Sequence, residues 1–155
     1  ITISNQLKNI IFIGLNPSLS NDTFEDQTTK KIIKISESYN YGKIKIINLF
    51  ALISRSPKLL LKDNDPVGCL NNKEIQESLI YWSNNYYCDL WLGWGNNGNF
   101  YNRNEYLFKS LMKYSSIKKK RFKKNKSPLL IKLTKKQNPI HPLYCPNNSK
   151  LIEYN

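Results

Sequence analysis

A short, uninterrupted apolar stretch near the start of the chain constrains its fold more than any other feature. Residues Lys8–Gly14 read KNIIFIG, and Leu-Asn-Pro follows directly. Continuous rather than alternating hydrophobicity indicates a strand that is covered on both faces, as strands of parallel sheets are. We therefore expect a sheet with helices on both of its sides.

Further strands and helices alternate along the 155 residues. The apolar runs predict strands at 43–50, 88–93 and 129–133 and a short edge segment at 151–154, and the helical periodicity predicts helices from Asp26 or Thr28 to about Tyr39, at 73–86 and at 102–114. Such alternation predicts right-handed βαβ crossovers. The expected fold is α/β, a three-layer α/β/α arrangement around a mostly parallel four-stranded sheet, with residues 1–155 forming a single domain. The long connection at 51–72 is a candidate functional loop.

The positive charge of the chain is concentrated in its last third. The formal net charge is +13, and residues 106–155 hold 13 basic residues against one acidic residue. The centre of this excess is the run KKKRFKKNK at 118–126, which we interpret as part of a basic insertion or loop spanning 115–128. One reading is a surface that follows nucleic-acid phosphates, with binding that falls steeply with salt. The other is a solvated loop on which AT-rich codon usage has accumulated lysine. The candidate phosphate contacts are Lys118, Lys119, Lys120, Arg121, Lys123 and Lys124.

Several classes of protein are excluded by pattern. No apolar stretch approaches the roughly 18 residues of a membrane span, and the first residues do not form a secretory signal pattern. Cys69, Cys88 and Cys145 are widely spaced, which predicts neither a disulfide framework nor a zinc site. We expect a cytoplasmic protein with reduced thiols, no metal and no cofactor.

Candidate site residues collect where the predicted strands end, which is where open parallel sheets bind ligands. The candidates for base or ligand binding are Asn16, Pro17, Ser18, Asp26, Asn48, Phe50, Trp94 and His141. The Asn16 amide can accept from and donate to one ligand, and Pro17 fixes the backbone that follows it. An Asn-Pro pair equally opens a turn, which leaves a structural role for Asn16 open.

The remaining candidates also have two readings each. Asn48 can bind the edge of a base while Phe50 stacks on its ring, or Phe50 belongs to the core. Of Trp91 and Trp94 we expect one in the core and one at a rim. His141 is the only histidine and can exchange protons near neutrality, although a lone histidine can be structural. Asp26 is an acid candidate or a helix cap.

Six segments together resemble a bacterial and phage family catalogued as domain of unknown function 1643. In chain order they read GLNPSLSND, EDQT, IINLFALISRSPKLL, DPVG, LWLGWGNNG and LTKKQNPIHPLY. The resemblance covers residues 10–154. Gln27 stands where the family usually has proline, and the run at 118–126 looks like an insertion that most members lack. The family label implies no activity.

Two of these segments resemble a second, better understood group. Gly14–Ser18 (GLNPS) is similar to the Gly-x-Asn-Pro-Gly motif of mismatch-specific and single-strand-selective uracil-DNA glycosylases, and His141-Pro142 is similar to their His-Pro-Ser motif. Ser18 and Leu143 depart from the usual residues. The resemblance implies a uracil-DNA glycosylase-like fold. It implies that Asn16 orients the attacking water, that Asn48 reads the base edge, that Phe50 stacks and that His141 stabilises the departing base. Leu143 and Tyr144 would occupy the position of the intercalating wedge.

The leading functional expectation is a nucleobase-binding protein that acts on DNA, rather than RNA, by metal-free hydrolysis of an N-glycosidic bond. An enzyme of the same fold that acts on a free nucleoside or nucleotide is one alternative. The other is a non-catalytic nucleic-acid-binding module, whose salt-dependent binding would survive the loss of Asn16 and His141.

Overall fold

A computed structural model of the chain describes residues 1–17, 27–54, 56–123 and 126–154. In these residues the strands are β1 (Asn9–Gly14), β2 (Lys43–Asn48), β3 (Cys88–Leu92), β4 (Leu129–Leu130) and β5 (Ile152–Glu153). The α-helices are α1 (Gln27–Ser38), α2 (Asn71–Asn84) and α3 (Arg103–Phe122), and 3₁₀ helices occupy Pro57–Leu61, Asn96–Asn102 and Pro142–Tyr144. None of the described helices is both long and apolar enough to cross a membrane.

The sheet is α/β and mostly parallel, as the sequence predicts, but it has five strands rather than four. Its order is β2-β1-β3-β4-β5. The pairs β1–β2, β1–β3 and β3–β4 are parallel, and only β4–β5 is antiparallel. The fifth strand is the predicted edge segment, and β4 is shorter than expected. The chain leaves β1 toward β2 on one side and later reaches β3 on the other, so the strand order reverses between β1 and β3.

The central strand β1 is buried on both faces, which confirms the reading of its apolar run. Ile10 and Phe12 pack with α1, whereas Ile11 and Ile13 pack with α2 and α3. Alternate side chains of a strand point to opposite faces, so an unbroken apolar run serves two cores at once. One helix therefore covers one face of the sheet and two helices cover the other.

The helix α3 extends well beyond its predicted end at residue 114 and includes the first part of the basic run. Residues 115–122 are therefore helical rather than a loop. Tyr114, Lys118 and Phe122 recur every four residues on one face, and Lys118 is completely buried. Its Nζ donates to the carbonyls of Trp82 (2.6 Å), Asn85 (2.7 Å) and Cys88 (2.9 Å). Lysine at this position continues the buried face of the helix with its aliphatic stem, a role that a charge count does not reveal.

Candidate ligand-binding site

A cleft of about 680 Å³ lies at the carboxyl ends of β1 and β2. Its described lining residues are Ile1, Phe12, Gly14, Leu15, Asn16, Pro17, Thr28, Thr29, Ile32, Ile33, Ile46, Asn48, Ser54, Pro57, Asn97, His141, Leu143 and Tyr144. Open α/β sheets bind ligands at this edge, near the reversal of strand order. The volume falls within the roughly 300–1,000 Å³ of small-molecule sites. Three candidates from different parts of the chain, Asn16, Asn48 and His141, thus meet in one cleft.

The cleft presents amides, hydroxyls and one imidazole on apolar walls. Its described lining includes no aspartate, glutamate, lysine or arginine side chain. Such a surface discriminates by hydrogen bonds and shape rather than by charge, and it suits a neutral, planar ligand with polar edges.

Asn16 follows β1 and is held by the loop that follows β2. Its Nδ2 donates to the carbonyls of Pro17 (2.9 Å), Ser54 (2.8 Å) and Leu52 (3.4 Å). Three surrounding carbonyls fix the amide nitrogen on the loop side, so Oδ1 is the atom that Asn16 can offer to a ligand. The predicted structural role and the predicted binding role are therefore compatible in one residue. Two residues of the connection at 51–72, Ser54 and Pro57, also line the cleft.

Asn48 is positioned by the register of the two central strands. It is paired with Gly14, and a Cβ on Gly14 would lie 2.6 Å from Asn48 Oδ1. Glycine at this position therefore makes room for the Asn48 side chain above β1. The next carbonyl, that of Leu49, accepts from Asn71 Nδ2 (2.7 Å) and Arg103 Nε (2.9 Å), which fixes the end of β2 from α2 and α3. Burial lowers the pKa of the Arg103 guanidinium.

His141 stands at the start of the Pro142–Tyr144 turn and faces the same cleft. Its Nδ1 accepts from the backbone N–H of Leu143 (3.3 Å). The neutral ring must then carry its proton on Nε2, because a nitrogen that accepts is unprotonated. A Cβ on Gly95 would lie 3.3 Å from His141 Cβ, and Gly95 has a φ of +72°. The close approach and the left-handed backbone both require glycine here, and they bring the turn against the end of β3.

The two residues after His141-Pro142 are exposed at the rim of the cleft. The exposed fraction is 40% for Leu143 and 77% for Tyr144. The Tyr144 ring lies 5.9 Å from the imidazole of His141, centroid to centroid. The position predicted for a wedge thus carries two accessible apolar side chains beside the cleft.

Two predicted ligand contacts lie in the core instead. Phe50 is fully buried and makes an edge contact with Tyr101, and Trp94 is 1% exposed, with its Nε1 donating to Asn138 Oδ1 (3.3 Å). Neither residue lines the cleft. The expected split between the tryptophans is also wrong, since Trp91 is buried as well. A large aromatic side chain at a strand end is as readily absorbed by helix packing as by a ligand site, and here the flanking helices cover it.

The basic run lies at the opposite edge of the sheet from the cleft. The buried Lys118 contacts the carbonyl of Cys88, the first residue of β3, so it is not a phosphate contact. The other described candidate contacts, Lys119, Lys120, Arg121 and Lys123, are exposed at or just after the last turn of α3. The two ends of β3, Cys88 and Leu92, lie about 13 Å apart along the strand, and the run is at the first of them. The run is therefore not a neighbour of the His141 turn.

The cleft residues fall within the part of the chain that matches a known family. The model of one family, described as "Protein of unknown function (DUF1643)", matches residues 2–143. The chain belongs to this family. No curated protein and no solved structure matches the chain significantly. Family membership thus covers Asn16, Asn48 and His141 and carries no activity with it.

Some predicted residues lie outside the described part of the chain, and some cleft residues were not predicted. Ser18, Asp26 and Lys124 are outside the described residues. The cleft also has Thr28, Thr29, Ser54 and Asn97 in its lining. Thr28, Ser54 and Asn97 belong to segments by which the sequence resembles its family, EDQT, IINLFALISRSPKLL and LWLGWGNNG, whereas Thr29 had no such signal. Within the described ranges, no group of three or more His, Cys, Asp or Glu side chains is placed to hold a metal ion.

Proposed function

We propose that the cleft binds a nucleobase turned out of a nucleic-acid strand, DNA in preference to RNA, and that the protein hydrolyses the N-glycosidic bond without a metal. The observation that carries this proposal is the meeting of Asn16, Asn48 and His141 in one neutral cleft at the carboxyl edge of the sheet. The base must leave the stack to reach such a cleft, at a cost of a few kcal/mol.

Asn16 supplies the group that positions water. Its Nδ2 is held by loop carbonyls, so its Oδ1 accepts a hydrogen bond from a water molecule and turns a lone pair of that water toward the anomeric carbon. No carboxylate lines the described cleft, so the water is oriented rather than strongly activated. Most of the acceleration must then come from stabilising the charge that leaves with the base.

His141 and Asn48 act on the base. The imidazole carries its proton on Nε2, and this N–H donates to an oxygen of the departing base as negative charge develops there. The Asn48 amide, which can donate and accept at once, reads the hydrogen-bonding edge of the base. The apolar walls of the cleft strengthen these hydrogen bonds, because a lower local dielectric screens them less than water does.

The reaction is balanced without a cofactor. The bond between the anomeric carbon and the base nitrogen breaks, and its electron pair stays with the base. The water oxygen bonds to the anomeric carbon, and its proton leaves to solvent or to the base. The products are a free base and an abasic sugar.

The test is incubation with oligonucleotides that contain uracil or another altered base, followed by detection of abasic sites. Asn16→Ala should lower the rate of product formation, because the water is then no longer oriented. Asn71→Ala is the matched control, because it also removes an amide that binds a loop carbonyl, that of Leu49, but it lies outside the cleft. If no tested base is excised by the wild type, or if both variants lose activity equally with the fold intact, the proposal fails.

The position of the basic run favours a second candidate, an enzyme acting on a free nucleoside or nucleotide. The exposed lysines at the end of α3 do not line the cleft, so they do not contact the nucleotide whose base would occupy it. A nucleoside that stabilises the protein against heat, together with no binding to oligonucleotides, would select this candidate over the first.

A further inference from the structure

A second depression adjoins the cleft on its α1 side. It has a volume of about 380 Å³, and its described lining is Gln27, Lys30, Lys31, Lys34, Leu143 and Asn147. Leu143 lines both the cleft and the depression. The two spaces are therefore neighbours across one side chain, and a single ligand can extend from one into the other.

The depression differs from the cleft in charge. Three of its six described lining residues are lysines, and none is acidic. Lys30 and Lys34 are exposed and one helical turn apart, so their Cβ atoms lie about 5–6 Å from each other on the same face of α1. Gln27 and Asn147 add amide donors. This is a set of donors and positive charges suited to an anion with several oxygens.

The Lys31 side chain links α1 to the turn beside the cleft. Its Nζ donates to the carbonyl of Cys145, which follows the Pro142–Tyr144 turn. The bond ties the first part of α1 to the turn that carries His141 and Leu143. The lysine depression therefore has a fixed position relative to the cleft.

We propose that this depression binds a backbone phosphate of the nucleic-acid strand whose base occupies the cleft. The proposal rests on the proposed function and deepens it. A nucleotide unit presents a neutral planar base next to an anionic phosphate, and the protein presents a neutral cleft next to a group of lysines. The exposed lysines and arginine at the end of α3 do not make this contact, because they lie at the other edge of the sheet.

The test compares two double variants that remove the same charge from exposed helical positions. They are Lys30→Gln with Lys34→Gln, beside the cleft, and Lys119→Gln with Lys120→Gln, at the far end of α3. Binding of a fluorescent single-stranded oligonucleotide containing only normal bases is measured at several salt concentrations. Each lost phosphate contact lowers the slope of log affinity against log salt by about 0.7 for single strands. We expect the first variant to lose about 0.7 of the slope and about fivefold in affinity at about 0.1 M salt, and the second to keep both.

An unchanged slope in the first variant, an equal loss in both, or no binding by the wild type would overturn the proposal. A nucleoside monophosphate and its nucleoside form a second arm. If the monophosphate needs Lys30 and Lys34 while no oligonucleotide binds, the phosphate belongs to a free nucleotide and the strand proposal is wrong. Because the oligonucleotide carries no altered base, failure of excision and failure of this phosphate contact are read separately.

Discussion

The carboxyl edge of the sheet, where the parallel strands end, differs from the amino edge, where they begin, in what its polar groups bind. At the carboxyl edge, Asn16 Nδ2 and His141 Nδ1 bind backbone groups, and both side chains line the cleft. At the amino edge, polar groups satisfy one another: Lys118 binds three carbonyls, and Asp89 accepts from the Tyr41 hydroxyl (2.8 Å) and pairs with Lys8 (3.5 Å) and Lys126 (3.6 Å).

The densest positive charge and the candidate binding cleft therefore lie in different parts of the molecule. The amino edge and the end of α3 contain the densest positive charge in the sequence, yet part of it is neutralised or buried within the fold. The carboxyl edge contains the neutral cleft, with a smaller group of lysines on α1 beside it. Net charge identifies neither the site nor its partner, because the fold decides which charges reach solvent and where.

The largest expected difference between the edges is catalytic. Replacing His141 with alanine should lower the rate of base excision by about 10²–10³-fold, the usual cost of removing one donor to a developing negative charge. Lys119→Ala should change the single-turnover rate by less than about twofold at saturating protein, since its side chain is at the far edge. Comparable losses in both variants would erase the functional distinction between the edges.

The next largest effect is on the stability of the fold, and it arises at the amino edge of the sheet. Lys118→Met keeps the aliphatic stem but leaves three carbonyls without their donor, and we expect a loss of about 3 kcal/mol in the free energy of unfolding. Lys119→Met should stay within about 0.5 kcal/mol of the wild type, because Lys119 is exposed. Urea denaturation of both variants measures the contrast, and a stable Lys118→Met would mean that the buried bonds contribute little.

The fold was largely predictable because it follows from hydrophobic patterning. The apolar run of β1 predicts two covered faces, and the alternation of strands and helices predicts the parallel sheet. The end of α3 was not predictable from its composition, since nine mostly basic residues indicate a solvated loop until the spacing of Tyr114, Lys118 and Phe122 is read as a buried face.

The site was predictable in part. Asn16, Asn48 and His141 follow from the rule that ligands bind at the carboxyl ends of parallel strands. The contribution of α1 did not follow, because its cleft residues Thr28, Thr29, Ile32 and Ile33 do not lie at the end of a strand. Phe50 and Trp94 were misassigned, since a strand-end aromatic residue has no sequence signal that separates core from ligand contact.

A smaller effect concerns selectivity within the cleft. Asn48→Ala should reduce the preference for the correct base by about tenfold or more, because each hydrogen bond to a base edge contributes about 1–3 kcal/mol of discrimination. Its side chain makes no hydrogen bond among the described residues, so the free energy of unfolding should hardly change. Excision rates on a panel of bases, with thermal unfolding beside them, measure both. Unchanged selectivity would remove Asn48 from base recognition.

The smallest effect is a pH dependence of stability that originates at the amino edge. Burial lowers the pKa of the Lys118 ammonium from 10.5 to about 8. Between these values the unfolded chain holds a proton that the folded protein has lost, so stability rises with pH, by about 1 kcal/mol from pH 8 to 9. Burial raises the pKa of the Cys88 thiol from 9.0 to about 12, which offsets the rise between about pH 9 and 10.5 and makes stability fall above that range. Urea midpoints at pH 8 and 9 should show the rise in wild type and not in Lys118→Met.

The central claim is that the carboxyl edge, and not the strongly basic end of α3, meets the nucleobase. The most direct measurement is a map of backbone amide chemical shifts on addition of an oligonucleotide with an altered base. We predict changes at Gly14, Asn48 and Leu143 and on α1 at Lys30–Lys34. Changes confined to Lys119–Lys123, with the strand ends unaffected, would contradict the account.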